Sequence, residues 1–210
     1  DLDATVPSGA HWAGIYHAGE AMDLRWATLR YGGYHNASGV DESSIVLLAP
    51  ATVRDNLVEE SYYHGVYVGP DVTAELTNNR FVNTIRRGSS ALYVDGPDAT
   101  LTNNDAAFFG YGLDLRGTDP SATGNTLTDC TYPFRLHDDA FCDLSANTID
   151  ACGYDAVAVS GAYPAGSAHV WHDQQGGQWP YLILSDFTVN AGATLTIDPG
   201  VVVKVRYNST

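Results

Sequence analysis

A short motif recurs along the chain at nearly regular intervals. It reads apolar-x-x-Asn-x-apolar, and in its first copy Ala27 stands in place of the asparagine. The anchor positions 27, 56, 79, 104, 125 and 147 are separated by 29, 23, 25, 21 and 22 residues. A unit of this length cannot bury its apolar face alone, so neighbouring units must stack on one another. The repeat therefore predicts a solenoid.

Each repeat consists of short strands and turns. An apolar-x-apolar element follows each asparagine by nine to thirteen residues, with the alternation of a strand that is buried on one face. Turn residues such as Gly69-Pro70-Asp71 come directly after it. A leucine-rich repeat has a similar period, but it would show a denser leucine pattern and commonly a helix. The sequence therefore predicts an all-β fold, a parallel β-helix with rungs of 21–29 residues that stack about 4.8 Å apart.

Stacked rungs place equivalent residues in columns along the axis of the solenoid. The anchor residues form an asparagine column: Asn56, Asn79, Asn104, Asn125 and Asn147. We interpret it as structural, because asparagine tolerates the left-handed conformation of a corner and its amide can hydrogen-bond along the column. A tyrosine column lies seven residues further on: Tyr34, Tyr63, Tyr111, Tyr132 and Tyr154. It predicts a stacked aromatic ladder, and a flat platform for sugar rings is the alternative.

The outward residues of the apolar-x-apolar strands form a column that we take as the candidate binding surface: Tyr67, Tyr93, Asp114 and Arg135. Aromatic and charged side chains on an exposed sheet face suit a carbohydrate or a protein partner, and an ordinary solvated face is the alternative. Shortly after Arg135, the pair Asp138 and Asp139 is a weak candidate for binding Ca²⁺, which prefers oxygen ligands. A polar turn between rungs explains the same pair. We therefore assign no metal site, no other cofactor and no catalytic residue.

Two of the three cysteines are expected to be neighbours. Cys130 and Cys152 each lie five residues after an anchor asparagine, which places them in adjacent rungs. Their separation would fit a disulfide, although adjacent parallel strands are an unusual place for one. Cys142 has the parity of an inward residue and is expected to pack as a small apolar side chain. Whether the sequons at Asn36 and Asn208 carry sugar is left open.

The repeat pattern also divides the chain. Regular rungs predict a β-helical region over residues 1–161. Residues 162–185 break the repeat with Gly, Pro, Gln and His around Trp171 and Trp179, which predicts a linker or a lateral loop. Residues 186–210 contain alternating strands divided by a Pro-Gly turn. They either open a further β-helical module or complete the solenoid.

Two segments near the ends carry a family resemblance. The stretch Gly192-Ala193-Thr194-Leu195-Thr196-Ile197-Asp198-Pro199-Gly200 resembles the motif that opens a module in secreted bacterial and archaeal right-handed β-helix repeat proteins. The segment His11-Trp12-Ala13-Gly14-Ile15-Tyr16 resembles the part that follows such an opening. The resemblance implies a right-handed coil and an extracellular or cell-surface location.

Pectate lyases and polygalacturonases share this solenoid, so the resemblance also raises an enzyme hypothesis. A polygalacturonase-like site would place an Asn-Thr-Asp element before an Asp-Asp pair, whereas here Asp138-Asp139 precedes Asn147-Thr148-Ile149-Asp150. The Gly-His-Gly and Arg-Ile-Lys elements of such a site are missing. The predicted function is therefore an extracellular structural or adhesive β-helix protein whose copies stack end to end. A lyase or hydrolase of acidic polysaccharide and a non-catalytic carbohydrate-binding module are the alternatives.

Charge and hydropathy exclude two other classes. The chain has 25 Asp and Glu against 10 Lys and Arg, a net charge of 10 − 25 = −15. Nucleic acid is not an expected partner, because a protein that neutralises phosphates needs a basic surface. No run of about 18 apolar residues is available to span a membrane. The expected partners are a second copy of the chain and a polysaccharide.

Overall fold

The computed structural model describes residues 13–33, 42–84, 89–117 and 120–206. In these ranges the chain forms 22 β-strands that pair in parallel along a coil, which confirms the predicted all-β solenoid. No helix in the described ranges is long and apolar enough to cross a membrane. Several residues singled out above lie outside the described ranges: His11, Trp12, Tyr34, Asn36 and Asn208.

Three parallel sheets run along the coil, and each of the first five described rungs contributes one strand to each sheet, whereas the later rungs contribute fewer. Sheet A contains β1 Ile15–His17, β4 Ser43–Leu47, β7 His64–Val68, β10 Ser90–Asp95, β13 Tyr111–Arg116, β16 Tyr132–His137, β18 Val157–Tyr163, β20 Tyr181–Val189 and β22 Val203–Val205. Sheet B contains β2 Met22–Arg25, β5 Ala51–Arg54, β8 Ala74–Thr77, β11 Ala99–Thr102 and β14 Ser121–Thr123. Sheet C contains β3 Thr28–Arg30, β6 Leu57–Glu59, β9 Arg80–Val82, β12 Asp105–Ala107, β15 Thr126–Thr128 and β17 Thr148–Asp150. A further pair is formed by β19 Ala168–Trp171 and β21 Thr194–Ile197.

Between sheets B and C the coil turns at a corner where one residue takes the left-handed conformation. Asp55, Asn78 and Asn103 are in this conformation, with φ of 58°, 54° and 54°. Each directly precedes an anchor asparagine, and none of the anchors in the described ranges has a positive φ. The anchor asparagines therefore lie at the corner without taking the left-handed conformation that was expected of them. The short polar residue before the anchor makes the bend, which leaves the anchor amide to bond within the coil.

Asn104 shows the hydrogen bonds that require asparagine at the anchor. Its Nδ2 donates to Leu76 O at 2.8 Å and to Asn125 Oδ1 at 3.0 Å. Its Oδ1 accepts from the backbone N–H of Asn79 at 3.1 Å and from Asn79 Nδ2 at 3.0 Å. The same pattern runs through the asparagine column, and every member of it is buried. The column is an internal amide ladder that links each rung to the next.

The inward side chains of the sheets fill the coil with one continuous apolar core. Val68, Val94 and Leu115 are successive members of an inward column of sheet A, and each is 0% exposed. The core cluster continues along the coil as far as Tyr181. Full burial of an aliphatic side chain is worth about 1.5–3 kcal/mol. Because one rung covers the next, this stabilisation depends on stacking.

The structure differs from the prediction of a linker or lateral loop over residues 162–185. This stretch contains the end of β18, all of β19 and the start of β20, and β18 pairs in parallel with β20. Trp171 and Trp179 pack into the core and are 2% and 8% exposed. The bulky aromatic residues hide the repeat in the sequence, but they fill the coil at its last rungs. Residues 186–205 continue the same coil through the pairing of β20 with β22.

Candidate functional site

The structure brings the four candidate binding residues into one column on the outer face of sheet A. Tyr67 pairs with Tyr93, Tyr93 pairs with Asp114, and Asp114 pairs with Arg135. The column is not the exposed face expected from the sequence, since Tyr67, Tyr93 and Asp114 are 5%, 9% and 0% exposed. We call this set the outward column.

A second set of outward side chains flanks the outward column because two consecutive residues of these strands point inward. In β13, Leu113 is fully buried, and a Cβ added to Gly112 would lie 2.9 Å from the Leu127 side chain in the core. Both Gly112 and Leu113 therefore face the core, and Tyr111 and Asp114 on either side of them face outward. The corresponding positions at the start of neighbouring strands of sheet A bring further side chains to the site: His64, Ser90 and Tyr132.

Asp114 is the centre of the polar contacts. Ser90 Oγ donates to Asp114 Oδ2 at 2.7 Å. The guanidinium of Arg135 binds both carboxylate oxygens, with Nε donating to Oδ1 at 2.9 Å and Nη2 donating to Oδ2. Burial opposes ionisation of Asp114, but the contacts of His137 and Arg135 outweigh it and lower the pKa of the carboxyl group to about 2. Asp114 is thus a fully buried carboxylate whose negative charge is neutralised by Arg135 of the next rung.

Arg135 is fixed on its other side by the tyrosine column. Its Cζ lies 3.6 Å from the centroid of the Tyr111 ring, a cation–π contact. Tyr111, Tyr132 and Tyr154 stack with centroid separations of 5.4 and 4.9 Å, so these three form the predicted ladder. Tyr63 does not join this stack and packs edge-on against the neighbouring His64 ring. The ring faces within the ladder contact each other.

His64 is a buried histidine at the start of the outward column. Its ring stacks on Tyr93 with a centroid separation of 5.0 Å, and its Nδ1 accepts from the backbone N–H of Ser90 at 3.3 Å. Burial lowers the pKa of His64 to about 4, and the nearby charge of Arg135 acts in the same direction. The imidazole is therefore neutral at neutral pH and serves as an acceptor.

A series of polar contacts leads from Asp114 on β13 through His137 on β16 to Ser160 on β18. His137 Nε2 lies 3.1 Å from Asp114 Oδ1, oblique to the N–H direction, and His137 Nδ1 lies 2.9 Å from Ser160 Oγ. Strand register accounts for this contact, because His137 of β16 pairs with Ser160 of β18. A carboxylate, an imidazole and a hydroxyl thus form a connected series.

The weak Ca²⁺ candidates lie in the turn after β16. Asp138 takes the left-handed conformation, with φ of 50°, and its carboxylate lies 3.8 Å from Arg116 Nε. Asp139 is half-buried. Within the described ranges no cluster of three or more His, Cys, Asp or Glu residues could hold a metal ion. Ca²⁺ binding by this pair stays a prediction.

The cysteines lie in the wall and core of the coil. Cys130 and Cys152 are in neighbouring rungs, as the backbone N–H of Gly153 bonds to Cys130 O at 2.8 Å. Both thiols are free in this structure, and the possible disulfide between them stays a prediction. Contact with Cys152 and burial raise the pKa of Cys130. Cys142 is 3% exposed and packs in the core, as predicted from its parity.

Sequence reasoning missed the side chains that complete the site: His64, Ser90 and Ser160. Each lies on the same sheet as the outward column and two or more residues from it along its strand. The signal that could have found His64 and Ser90 is a small residue, Gly65 or Ala91, between them and the apolar-x-apolar element. A glycine or alanine that points inward takes up little of the core, so the next residue can point inward as well. The residue before this inward pair then points to the outer face.

Comparison with known proteins gives one match. The model of a protein family described as "Right handed beta helix region" matches residues 39–174, which is more than half of the 210-residue chain. The matched region contains the asparagine column, the outward column and Ser160. No curated protein and no solved structure matches the chain significantly.

Proposed function

Because the chain belongs to the right-handed β-helix family, we propose that it acts as a structural and adhesive rod at the cell exterior, with copies stacked end to end. The burial of the outward column carries the proposal. Tyr67, Tyr93 and Asp114 are the side chains best suited to hold a ligand, and they are at most 9% exposed. They bind neighbouring rungs instead and stiffen the wall of the coil.

The carbohydrate alternatives receive less support from the geometry. A lyase of acidic polysaccharide needs a basic side chain that is free to act on the substrate, whereas Arg135 is held by Asp114 and Tyr111. A sugar platform needs free aromatic faces. The stacked rings of Tyr132 and Tyr154 are nearly parallel, at 6°, and cover each other.

The last strand of sheet A supports the stacking part of the proposal. Val203 and Val205 pair with Tyr181 and Ile183, and so occupy inward positions. They are 38% and 72% exposed, whereas Val159, two rungs earlier than Val205 in the same column, is 2% exposed. In the part of the chain that the structure describes, no strand pairs with the outer edge of β22. A parallel strand from a second copy would cover these valines and extend the sheet.

Sedimentation velocity over a wide concentration range tests the stacking. The sedimentation coefficient of the wild-type chain is expected to rise with concentration, and Val205→Asp is expected to remain monomeric because a carboxylate cannot be buried unpaired at the interface. Leu48→Asp is the matched control, since Leu48 is a 38% exposed aliphatic residue away from β22. A wild-type chain that is monomeric at every concentration contradicts stacking. Release of unsaturated or reducing ends from polyuronates would favour the lyase or hydrolase alternative over the structural role.

The location at the cell exterior is supported by the charge. With a net charge of −15 and Lys204 as the one lysine of the chain, the rod presents an acidic, solvated coat that suits an ion-rich medium. Protease treatment of intact cells tests this location. Loss of the protein without lysis is expected, and protection until lysis would contradict it.

A further inference from the structure

A serine, a histidine and an aspartate meet where the buried polar contacts reach the surface. Ser160 Oγ is 2.9 Å from His137 Nδ1, and His137 Nε2 is 3.1 Å from Asp114 Oδ1. Exposure increases along the series, since Asp114 is fully buried, the His137 side chain is 15% exposed and Ser160 is half-buried. We propose that this series is an acyl-transfer site in which Ser160 is the nucleophile towards neutral esters of small acyl groups. The inference goes beyond the structural role proposed above and does not depend on it.

The strand irregularity opposite Ser160 distinguishes it from the serines at the starts of β4 and β10. Regular pairing of β18 with β20 ends at Val159 and resumes at Gly161, so residues 184–186 form a bulge opposite Ser160. Gly161 has φ of 96°, in the region that favours glycine. Bulges commonly lie next to active sites because they change the direction of a side chain. Here the bulge interrupts the covering strand beside the hydroxyl group.

The buried carboxylate fixes the roles of the two imidazole nitrogens. Asp114 is an acceptor, and its low pKa keeps it ionised at neutral pH. Because Nε2 of His137 lies 3.1 Å from this carboxylate, we assign the proton of the neutral ring to Nε2. Nδ1 is left with its lone pair towards Ser160 and can accept the hydroxyl proton. Arg135 and Ser90 also bind Asp114 and fix its orientation, so the carboxylate is a positioning residue and Ser160 and His137 are the catalytic residues.

The reaction that these groups support is ester hydrolysis in two steps. Ser160 Oγ attacks the carbonyl carbon, and its proton passes to His137 Nδ1. The bond to the alcohol oxygen breaks, His137 returns the proton to that oxygen, and an ester of Ser160 is formed. Water then attacks this ester with His137 accepting its proton, and the proton returns to Ser160 Oγ as the carboxylic acid is released. The balance is ester plus water to acid plus alcohol.

The surroundings of Ser160 define the substrate class. Little space surrounds Ser160, because Ala158 is fully buried and a Cβ added to Gly161 would clash with the Asp138 carboxylate, so only a short acyl group can approach the hydroxyl group. The Asp138 carboxylate lies beside Gly161, and Asp186 is an exposed residue of the bulge opposite Ser160. These negative charges disfavour an anionic substrate. A neutral acetyl-type ester fits this site better than a polyuronate.

Covalent labelling of the folded chain with diisopropyl fluorophosphate tests the nucleophile directly. The serine oxygen forms a bond to phosphorus and fluoride leaves with the serine proton, so peptide mass spectrometry locates the adduct. One adduct at Ser160 is expected in the wild-type chain and in Ser121→Ala, a control at an exposed serine of sheet B. No adduct is expected in Ser160→Ala. Labelling at Ser185 in the bulge, or no labelling above that of the unfolded chain, would overturn the proposal.

Hydrolysis of 4-nitrophenyl acetate tests the base. We expect His137→Gln, which keeps a hydrogen-bonding side chain but removes the base, to lower the rate by about 10²–10⁴-fold. For Asp114→Asn the readout is the rate of fluorophosphate labelling per folded molecule. This rate is expected to fall if Asp114 positions His137, and to stay unchanged if Asp114 only stabilises the fold. A longer ester, 4-nitrophenyl octanoate, is expected to react more slowly than the acetate. Equal acetate hydrolysis by the wild-type chain and Ser160→Ala would overturn the proposal even if His137→Gln fails to fold.

Discussion

Asp114 shows how a charged side chain is accommodated in the wall of a β-helix. The sequence places it in the outward column, and that placement agrees with the strand register. Its complete burial could not be predicted in the same way, because it depends on Arg135 of the next rung and Ser90 of the preceding one. Register follows from alternation along one strand, whereas burial depends on side-chain lengths in three rungs together. Candidate residues were therefore found more reliably than their environment.

His64 and Asp114 give the stability of the protein a defined pH dependence. The folded state depresses the pKa of His64 from 6.5 to about 4, so between these pH values the unfolded chain binds a proton that the folded chain excludes. The free energy of unfolding is therefore highest above pH 6.5 and falls towards pH 4, by roughly 3 kcal/mol from this group. Asp114, with its pKa lowered from 3.8 to about 2, adds a further loss of stability at lower pH. Its contribution of roughly 2 kcal/mol is present above pH 4 and disappears as the pH falls through 2.

Urea unfolding at pH values from 7.5 to 4.5 measures the part that belongs to His64. We expect His64→Asn to flatten this pH dependence, because the amide can still accept from the backbone N–H of Ser90 and does not titrate. His17→Asn is the matched control on β1, where Nε2 bonds to Pro50 O. An identical pH dependence in the wild-type chain and His64→Asn would contradict the assignment.

Whole strands and corners were predictable where each rung repeats the same chemistry. The asparagine column lies at the corners between sheets B and C from Asn56 onwards, and the residue before each of the first three anchors, Asp55, Asn78 or Asn103, makes the bend. The structure of residues 162–185 differs from the predicted linker or lateral loop because Trp171 and Trp179 fill the interior in place of the usual aliphatic residues. The pattern in the sequence breaks there, while the parallel pairing continues. Periodicity identifies strands of like composition and misses those where larger side chains fill the same volume.

The asparagine ladder makes a prediction about the corner between sheets B and C. We expect Asn104→Ala to lower the free energy of unfolding by about 3 kcal/mol, since it leaves buried backbone groups of Leu76 and Asn79 without their partner. Asn103→Gly in the same corner is the control, because Asn103 has φ of 54° and glycine adopts this conformation freely. Chemical unfolding measures both variants. Equal destabilisation by the two substitutions would contradict the assigned roles of anchor and bend.

At the level of the whole molecule, the stacking of rungs along one axis determines which side chains of the core, the sheets and the last strand are covered. The core and the amide ladder both gain stability only when a rung is covered by another. This leaves the apolar inward side chains of β22 exposed, while the acidic surface along the sides favours solvation. This distribution of apolar and charged surface supports the proposed association along the axis. The coil itself was predictable from the sequence, but the exposure of Val203 and Val205 required the structure.

Fibre diffraction from oriented assemblies of the wild-type chain tests this axial organisation most directly. If copies add rungs in continuity with the coil, the strands lie across the fibre and the strand spacing of about 4.8 Å gives a reflection along the fibre axis. Val205→Asp should prevent these fibres from forming, and Leu48→Asp should not. A reflection of this spacing perpendicular to the fibre axis, or fibres that form equally well from Val205→Asp, would contradict end-to-end stacking of the rungs.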